Sequence, residues 1–379
     1  MISNRAGTFI TQPSGYKSFL PKPLPPEDSI CFDGELISLL SEADRQLGRL
    51  DGITQTLPDP DIFVAMYVQK EALLSSQIEG TQASLSDVLA KNEERRESVE
   101  EVVNYVSALN YGLERLNDLP LSLRLIKEIH KVLLRNGRGS LRNPGEFRTT
   151  QNWVGPAGCN LNTATYVPPA VPDMTDALYN LENFFYEDTG LPPLVQIALI
   201  HSQFESIHPF LDGNGRIGRL LITFWLYHKH ILSKPLLYLS HYFKMHRLEY
   251  YDRLMNVRTH GDWEGWIKFF LKGISFVSDE AVKTARDILT LKNDCERLIQ
   301  NEDHTNTNHN SALGLLFTTP IISIKDISEA VGISYPTASR IVDDFLRLGI
   351  LEDFTPDMRR NKRYKFTKYL DILEPGTEL

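Results

Sequence analysis

Between His208 and Arg219 the chain gathers a histidine, a carboxylate, a Gly-Asn-Gly turn and two arginines, in the order His208-Pro209-Phe210-Leu211-Asp212-Gly213-Asn214-Gly215-Arg216-Ile217-Gly218-Arg219. The imidazole is the group best suited to moving a proton near neutral pH. Gly213 and Gly215 permit backbone conformations that a side chain forbids and let a ligand approach the main chain. Arg216 and Arg219 stand three apart and share a helix face. They fall in the first turn of a helix, where the dipole repels cations, so the simplest compensation is a polyanion clamped by their forks. The free N–H groups of that helix start favour the same anion. Asp212 suits a divalent cation bridging phosphates, because Mg²⁺ takes one or two carboxylates plus substrate oxygens. Each fragment alone has an ordinary reading, as a packed histidine or a solvated turn. Together they describe a phosphate-handling site with a proton acceptor.

The elements that must position these residues are helical. Leu194, Ile197, Ala198, Ile200, His201, Phe204 and Ile207 recur at helical spacing, and so do Leu220, Leu221, Phe224, Trp225 and Tyr227. The motif is therefore the turn between two buried helices. A further helix from about Asp61 ends at Ser75-Ser76-Gln77-Ile78-Glu79-Gly80, with a carboxylate in its last turn before a stop glycine. An acid there opposes the dipole as the arginines do at the other helix, so the two ends could pair. Helical spacing also covers Leu36 to Leu47, Leu121 to Leu134 and Asp173 to Tyr186, and Gly137-Arg138-Gly139 breaks the second of these. The charge run from Lys91 to Glu101 reads as a solvated face. Tyr242, His246 and Tyr250, spaced i, i+4, i+8, fall on one helical face. Residues 143–168, with Pro156 and Pro168-Pro169 around short β-prone pieces, read as a hairpin.

The motif matches, at every specified position, the signature H-x-F-x-D/E-G-N-G-R-x-x-R of the Fic family, and the chain resembles that family over most of its length. The resemblance implies a mostly α fold, a Fic-type helical bundle with a small β-hairpin flap, which transfers AMP from ATP to a hydroxyl side chain of a protein. It implies His208 as the general base, Phe210 as the loop's anchor and Asp212 as the Mg²⁺ ligand. The run Gly213, Asn214, Gly215, Arg216, Ile217, Gly218 and Arg219 becomes the nucleotide site, with adenine contacts assigned to Tyr250 and Tyr251 and more weakly to His246. Ser75, Glu79 and Gly80 match the family's inhibitory motif S/T-x-x-x-E-G/N, which would set Glu79 against Arg219, in the fork that the γ-phosphate needs. The hairpin at 143–168 becomes the flap along which a target's extended segment pairs through its main chain. A homodimer is implied by the same likeness.

At 379 residues the chain suits two or three domains. We expect an N-terminal arm and packing helices over 1–60, with residues 1–30 extended over the surface. The Fic domain follows over 61–300, its inhibitory helix near 61–80, then an Asn-rich linker over 301–312 and a winged helix-turn-helix over 313–379. The last of these rests on Ile324 to Ile333, on Ser334 capping a recognition helix to Val342, and on a basic wing, Arg359-Arg360-Asn361-Lys362-Arg363-Tyr364-Lys365. Arg340 and the wing cations would meet DNA phosphates, although Asp343, Asp344, Glu352, Asp353 and Asp357 leave the module little net charge, so a protein partner is an equal expectation. A net charge of −9 argues against wholesale nucleic-acid coating. Cys31, Cys159 and Cys295 lack zinc or disulfide spacing, which fits a reducing cytoplasm. No secretory h-region and no membrane-spanning apolar run is visible. No P-loop pattern occurs. Two other readings stay open: a DNA-binding regulator that senses ATP through the Fic domain, and a de-AMPylase in which Glu79 orients water.

Overall fold

The computed structural model describes residues 4–56, 60–90, 93–137, 139–302, 306–358 and 360–379. Arg138 and Arg359, which the sequence places in a helix break and in the wing, lie outside the described residues, as do Lys91 and part of the expected linker.

The N-terminal stretch is not an extended arm. β1 (Gly7–Thr11) and β2 (Lys17–Pro21) form an antiparallel hairpin in register from Gly7↔Pro21 to Thr11↔Lys17. Side-chain anchors fasten it to the body. Phe19 is buried and its N–H donates to Val167 O at 2.9 Å. Arg5 pairs with Glu264 at 2.6 Å.

Helices then take over: α1 (Gly34–Thr56), α2 (Pro60–Ile78), the short α3 (Leu85–Leu89), α4 (Arg96–Arg115), α5 (Leu123–Leu133), α6 (Val171–Phe184), α7 (Pro193–Ile207), α8 (Asn214–His228), α9 (Ser240–Met245), α10 (Arg247–His260) and α11 (Trp263–Gln300). α1 lies along α11, α4 along α5, and α2 against α4 and α9. At the centre, α7 is buried on every side from Ile197 to Ile207. A helix buried all round belongs to the middle of a core, and this is the helix that delivers His208. α8 follows, buried from Arg216 to Leu226. No helix among the described residues is long and apolar enough to cross a membrane.

Two local expectations are corrected. Residues 143–168 do not form a hairpin ladder. One bridge, Val154 N–H to Tyr166 O at 2.8 Å and Tyr166 N–H to Val154 O at 3.0 Å, closes an otherwise irregular loop, because the prolines that bracket it donate no N–H. Tyr242, His246 and Tyr250 do not share one helix face either. The backbone turns at His246 (φ −110°, ψ 37°), separating α9 from α10.

The last module contains α12 (Thr307–Leu316), β3 (Ile321–Ile322), α13 (Ile324–Val331), α14 (Tyr335–Arg347), β4 (Glu352–Asp353), β5 (Tyr364–Lys365) and α15 (Thr367–Leu373). Its antiparallel sheet runs β3-β5-β4, the element order expected of a winged helix-turn-helix. Ser323 and Asp326 make a capping box on α13, and Ser334 caps α14 by accepting from Thr337 N–H. α12 starts within the Asn-rich stretch, where Asn306 supplies the cap.

Candidate active site

His208 ends α7 in the left-handed conformation, φ 49° and ψ 60°, uncommon for a residue with a side chain. Surrounding bonds hold it there. Arg148, itself buried, donates from Nε to His208 O at 3.1 Å and from Nη2 to Pro169 O at 2.6 Å. Asn152 Nδ2 donates to His208 O at 3.1 Å and to Phe210 O at 2.8 Å. His130 stacks on Phe210 with centroids 3.7 Å apart. Its Nδ1 accepts from Gly145 N–H at 2.8 Å, so the proton sits on Nε2, which donates to Asp212 O at 3.0 Å. Burial pushes the His130 pKa down to about 4, in keeping with that neutral tautomer. Asn214 clamps the turn, accepting from Phe210 N–H and donating to Phe210 O, both at 2.8 Å. Gly213 then enters α8 at φ 79°. None of these supports is visible as local periodicity. Arg148, Asn152 and His130 reach the turn from about 60 to 80 residues upstream, and only a histidine at a buried position of α5 could have signalled a role.

A pocket of about 400 Å³ opens beneath this turn. Its wall brings together His208, Glu79, Gly215, Arg219, Tyr250 and Tyr251, the residues singled out from three separate stretches of sequence. Arg219 is buried, and its guanidinium donates from Nε to Ser75 Oγ at 2.8 Å and from Nη2 to Ser75 O at 2.9 Å and Glu79 Oε1 at 2.8 Å. The paired helix ends inferred from the sequence thus meet, with Glu79 in the turn just past α2. Burial drives the Glu79 carboxyl up, but the charge and hydrogen bond of Arg219, helped by Arg216 and His208, leave it below its ordinary range. Burial likewise opposes the charge on Arg219, and Glu79 and Tyr250 outweigh it. Glu79 keeps 38% of its side-chain area exposed while Arg219 keeps 2%, so the pair sits on the pocket wall with the cation on the protein side. A side chain at position 215 would run into the Glu79 carboxylate, which shows how closely the acid lies over the start of α8.

Burial, then the charges of Arg258 and Arg148, push the His208 pKa down to about 4 against the pull of Glu79, leaving a neutral imidazole at pH 7. Its Nδ1 stands 3.9 Å from Glu205 Oε2. Glu205 was missed by sequence reasoning. Its carboxyl is buried against Gly218, one oxygen finds no partner among the described residues, and burial raises its pKa to about 7. Arg216 also carries buried donors without a partner among the described residues, Nε and Nη1, while Nη2 lies 3.4 Å from Asp212 Oδ1. Unpaired guanidinium donors beside a helix start are what an incoming phosphate would satisfy.

Other expected site residues fall elsewhere. Ile217 is core, Gly218 packs on Glu205, and His246 is outside the pocket wall, its ring on Tyr242 at 4.5 Å. The Tyr250 hydroxyl donates to His201 Nε2 at 2.9 Å, so only its ring is offered to a ligand. Asp212 faces a neighbouring groove of about 810 Å³, also lined by Leu141, Asn152 and Trp153. No group of three or more His, Cys, Asp or Glu side chains suited to a metal occurs among the described residues. A single carboxylate beside the Arg216 guanidinium still fits Mg²⁺, which is ordinarily completed by substrate oxygens and water.

A buried helix pair joined by such a turn, over a pocket where an arginine of the second helix meets a glutamate from the turn after α2, belongs to a Fic-type fold. Residues 37–114 match the model of the Fic/DOC family N-terminal region and residues 120–226 that of the Fic/DOC family. The stretch that holds the turn is a Fic/DOC family domain. The protein adenylyltransferase Fic of Culex quinquefasciatus is 31% identical over 163 residues, 42% of this chain and 29% of that protein. That of Drosophila grimshawi is 32% identical over 126 residues, 32% of this chain and 24% of that protein. The match thus spans under a third of the length of these curated relatives. A crystal structure of a Fic family protein from Desulfovibrio desulfuricans G20 superposes with a TM-score of 0.57 at 22% identity, over 89% of this chain and 97% of that one, and shows the shared fold.

Proposed function

We propose that the chain is an autoinhibited protein adenylyltransferase that moves AMP from ATP to a Ser, Thr or Tyr hydroxyl of a protein. The observation that carries this reading is the Glu79–Arg219 contact at 2.8 Å on the wall of the pocket that holds His208. Neutral His208 takes the proton of the target hydroxyl as its oxygen bonds to the α-phosphorus. The bond from that phosphorus to the bridging oxygen breaks, and pyrophosphate leaves. Arg216 and Arg219 hold the phosphates, and Asp212 would hold Mg²⁺, which supplies charge neutralisation to them. While Glu79 occupies Arg219, the γ-phosphate lacks its cation, and ATP binds weakly or in an unproductive pose. The target segment would lie in the groove beside Trp153 and Leu141, both exposed, and Mg²⁺ and the homodimer belong to this reading.

Glu79→Gly is expected to raise incorporation from α-labelled ATP by at least an order of magnitude, since removing a competitor for a charged fork is worth roughly 1.5–3 kcal/mol. His208→Ala in that background abolishes it. Label arriving equally from α- and γ-labelled ATP would rule out AMP transfer, and a sedimentation mass near 43 kDa would rule out the dimer.

The wing gives less support to DNA binding. Lys362 pairs with Asp353 at 2.6 Å, Lys365 with Glu352 at 3.7 Å, and Arg363 donates to Ala90 O at 2.5 Å. Cations committed to carboxylates and carbonyls of the same chain are less available to phosphates.

A further inference from the structure

We infer that the groove where α2 ends against α3 and α9 is a binding site for an acidic peptide that enters in a tight turn, filled by the chain's own segment 374–379, and that its occupancy holds the Glu79 turn in place. The second half of this inference rests on the reading that Glu79 restrains nucleotide use.

The site is built from side chains that grip main chain. Gln77 Nε2 donates to Thr377 O at 2.9 Å. Lys244 Nζ donates to Gly376 O at 3.1 Å, to Glu378 O, and to Gln77 Oε1 at 2.7 Å. Consecutive carbonyls are thus read by an ammonium and an amide that are themselves joined. At one end of the segment Ser86 Oγ donates to Glu374 Oε1 at 3.0 Å, and at the other the charge of Glu378 acts on buried Lys70. Gly376 sits at φ +84° with its Cα against the His241 ring, where a side chain would collide. His241 cannot easily give way, because Glu280 holds its Nδ1 at 2.7 Å. Main-chain acceptors, flanking acids and a positive-φ glycine, in a turn closed by Thr377 N–H to Glu374 O at 2.8 Å, are the chemistry of an acidic segment read by its exposed carbonyls at a tight turn.

The same turn carries the latch. Gln77 and Glu79 are two residues apart, joined by Glu79 N–H to Ser76 O and Gly80 N–H to Gln77 O, both at 3.0 Å. The Gln77 side chain holds the segment while the Glu79 side chain holds Arg219. Withdrawing 374–379 costs Gln77 its bond to Thr377 O and Lys244 its bonds to Gly376 O and Glu378 O, leaves them only Ala83 O and Gln77 Oε1, and removes a wall from the 76–80 turn. A partner that peels 374–379 from its seat, or a competing acidic peptide, would therefore loosen Glu79 without entering the nucleotide pocket.

The test uses the full chain with Gly376→Val, and a second variant that ends after Glu374, in case the substitution is absorbed locally. Hydrogen exchange is expected to rise over both 375–379 and 76–80 in Gly376→Val. Label from α-labelled ATP rises about 5-fold or more, the lower end of ordinary coupling between sites. Gly376→Val with Glu79→Gly labels no faster than Glu79→Gly alone. A synthetic peptide of residues 371–379 at about 1 mM, the local concentration that a short tether supplies, restores protection at 76–80 in the shortened chain. A displaced segment with unchanged exchange at 76–80, additive rates in the double variant, or no rescue by peptide each overturns the inference. Should Glu79→Gly itself transfer no AMP, the functional reading fails, and exchange at 76–80 still decides the coupling.

Discussion

Asn214 lies inside the turn from His208 to Arg219, and its side chain is committed to the peptide groups of Phe210. What it leaves for an anion is the main chain of the first turn of α8, which explains why a short amide is required rather than merely tolerated. Asn214→Ala strands the buried Phe210 N–H, while Phe210 O keeps its bond from Asn152 Nδ2, and at roughly 1–3 kcal/mol for such a group the urea midpoint is expected to report a loss of about 1–3 kcal/mol. Asn214→Asp keeps the acceptor and loses the donor, and should fall between. His208 makes a different prediction. With its pKa held near 4 by burial, the base stays deprotonated well below the usual imidazole range, so kcat/KM of the Glu79→Gly enzyme should be flat from about pH 8 to about pH 6. An acid limb centred at about 6.5 would show that the imidazole is solvated in the working enzyme.

At the scale of elements, α2 and the turn that ends it carry polar residues at i, i+4 and i+8: Glu71, Ser75 and Glu79. Glu71 is fully enclosed, accepting from Tyr105 Oη at 3.1 Å and from Ser240, and burial raises its pKa to about 7. A carboxyl whose folded pKa is raised binds a proton more tightly in the native state. Its contribution to stability is therefore full below about pH 4.5 and is lost as pH rises through about 7. Glu71→Gln should be the more stable protein at pH 8, by an amount on the order of 2 kcal/mol, and should converge on the parent at acid pH. Urea titrations at the two pH values check this. These residues also mark how far the sequence could be read. Ser75 and Glu79 stood out because they end a helix against its dipole, whereas Glu71 looked like one more charge in a helix, its burial decided by α4 and α9. The α7–turn–α8 unit was plain because its apolar spacing and its chemistry coincide. The break at His246 was hidden, since no Gly or Pro marks it and the ring packing of Tyr242 on Phe269 at 5.1 Å is a tertiary event. The N-terminal hairpin was legible in principle, with Thr8 to Thr11 and Lys17 to Leu20 flanking a Pro-Ser-Gly turn, and went unread because proline and serine suggested an arm.

In the whole molecule α11 does what no local motif reveals. It starts at Trp263 in the Fic core and runs 38 residues to Gln300, with buried positions continuing to Ile288, Cys295 and Ile299, while α12 and α15 pack on it. The nucleotide domain and the last module therefore share a core, and they should unfold together. All four tryptophans, Trp153, Trp225, Trp263 and Trp266, precede residue 267, so indole fluorescence reports the Fic part alone. Ile299→Ala, costing roughly 2–4 kcal/mol as a buried truncation, should shift the fluorescence midpoint and the far-ultraviolet dichroism midpoint equally, and separate transitions would show two independent bodies. A continuous helix of that length is a strut of about 57 Å, and a strut forbids swinging. Whatever acts on the last module has little freedom to reorient it and can chiefly peel the strip 374–379 from its seat. Activation would then leave the radius of gyration and the scattering profile where they were, and would register only in the exchange of a few amides and in the rate of the chemistry.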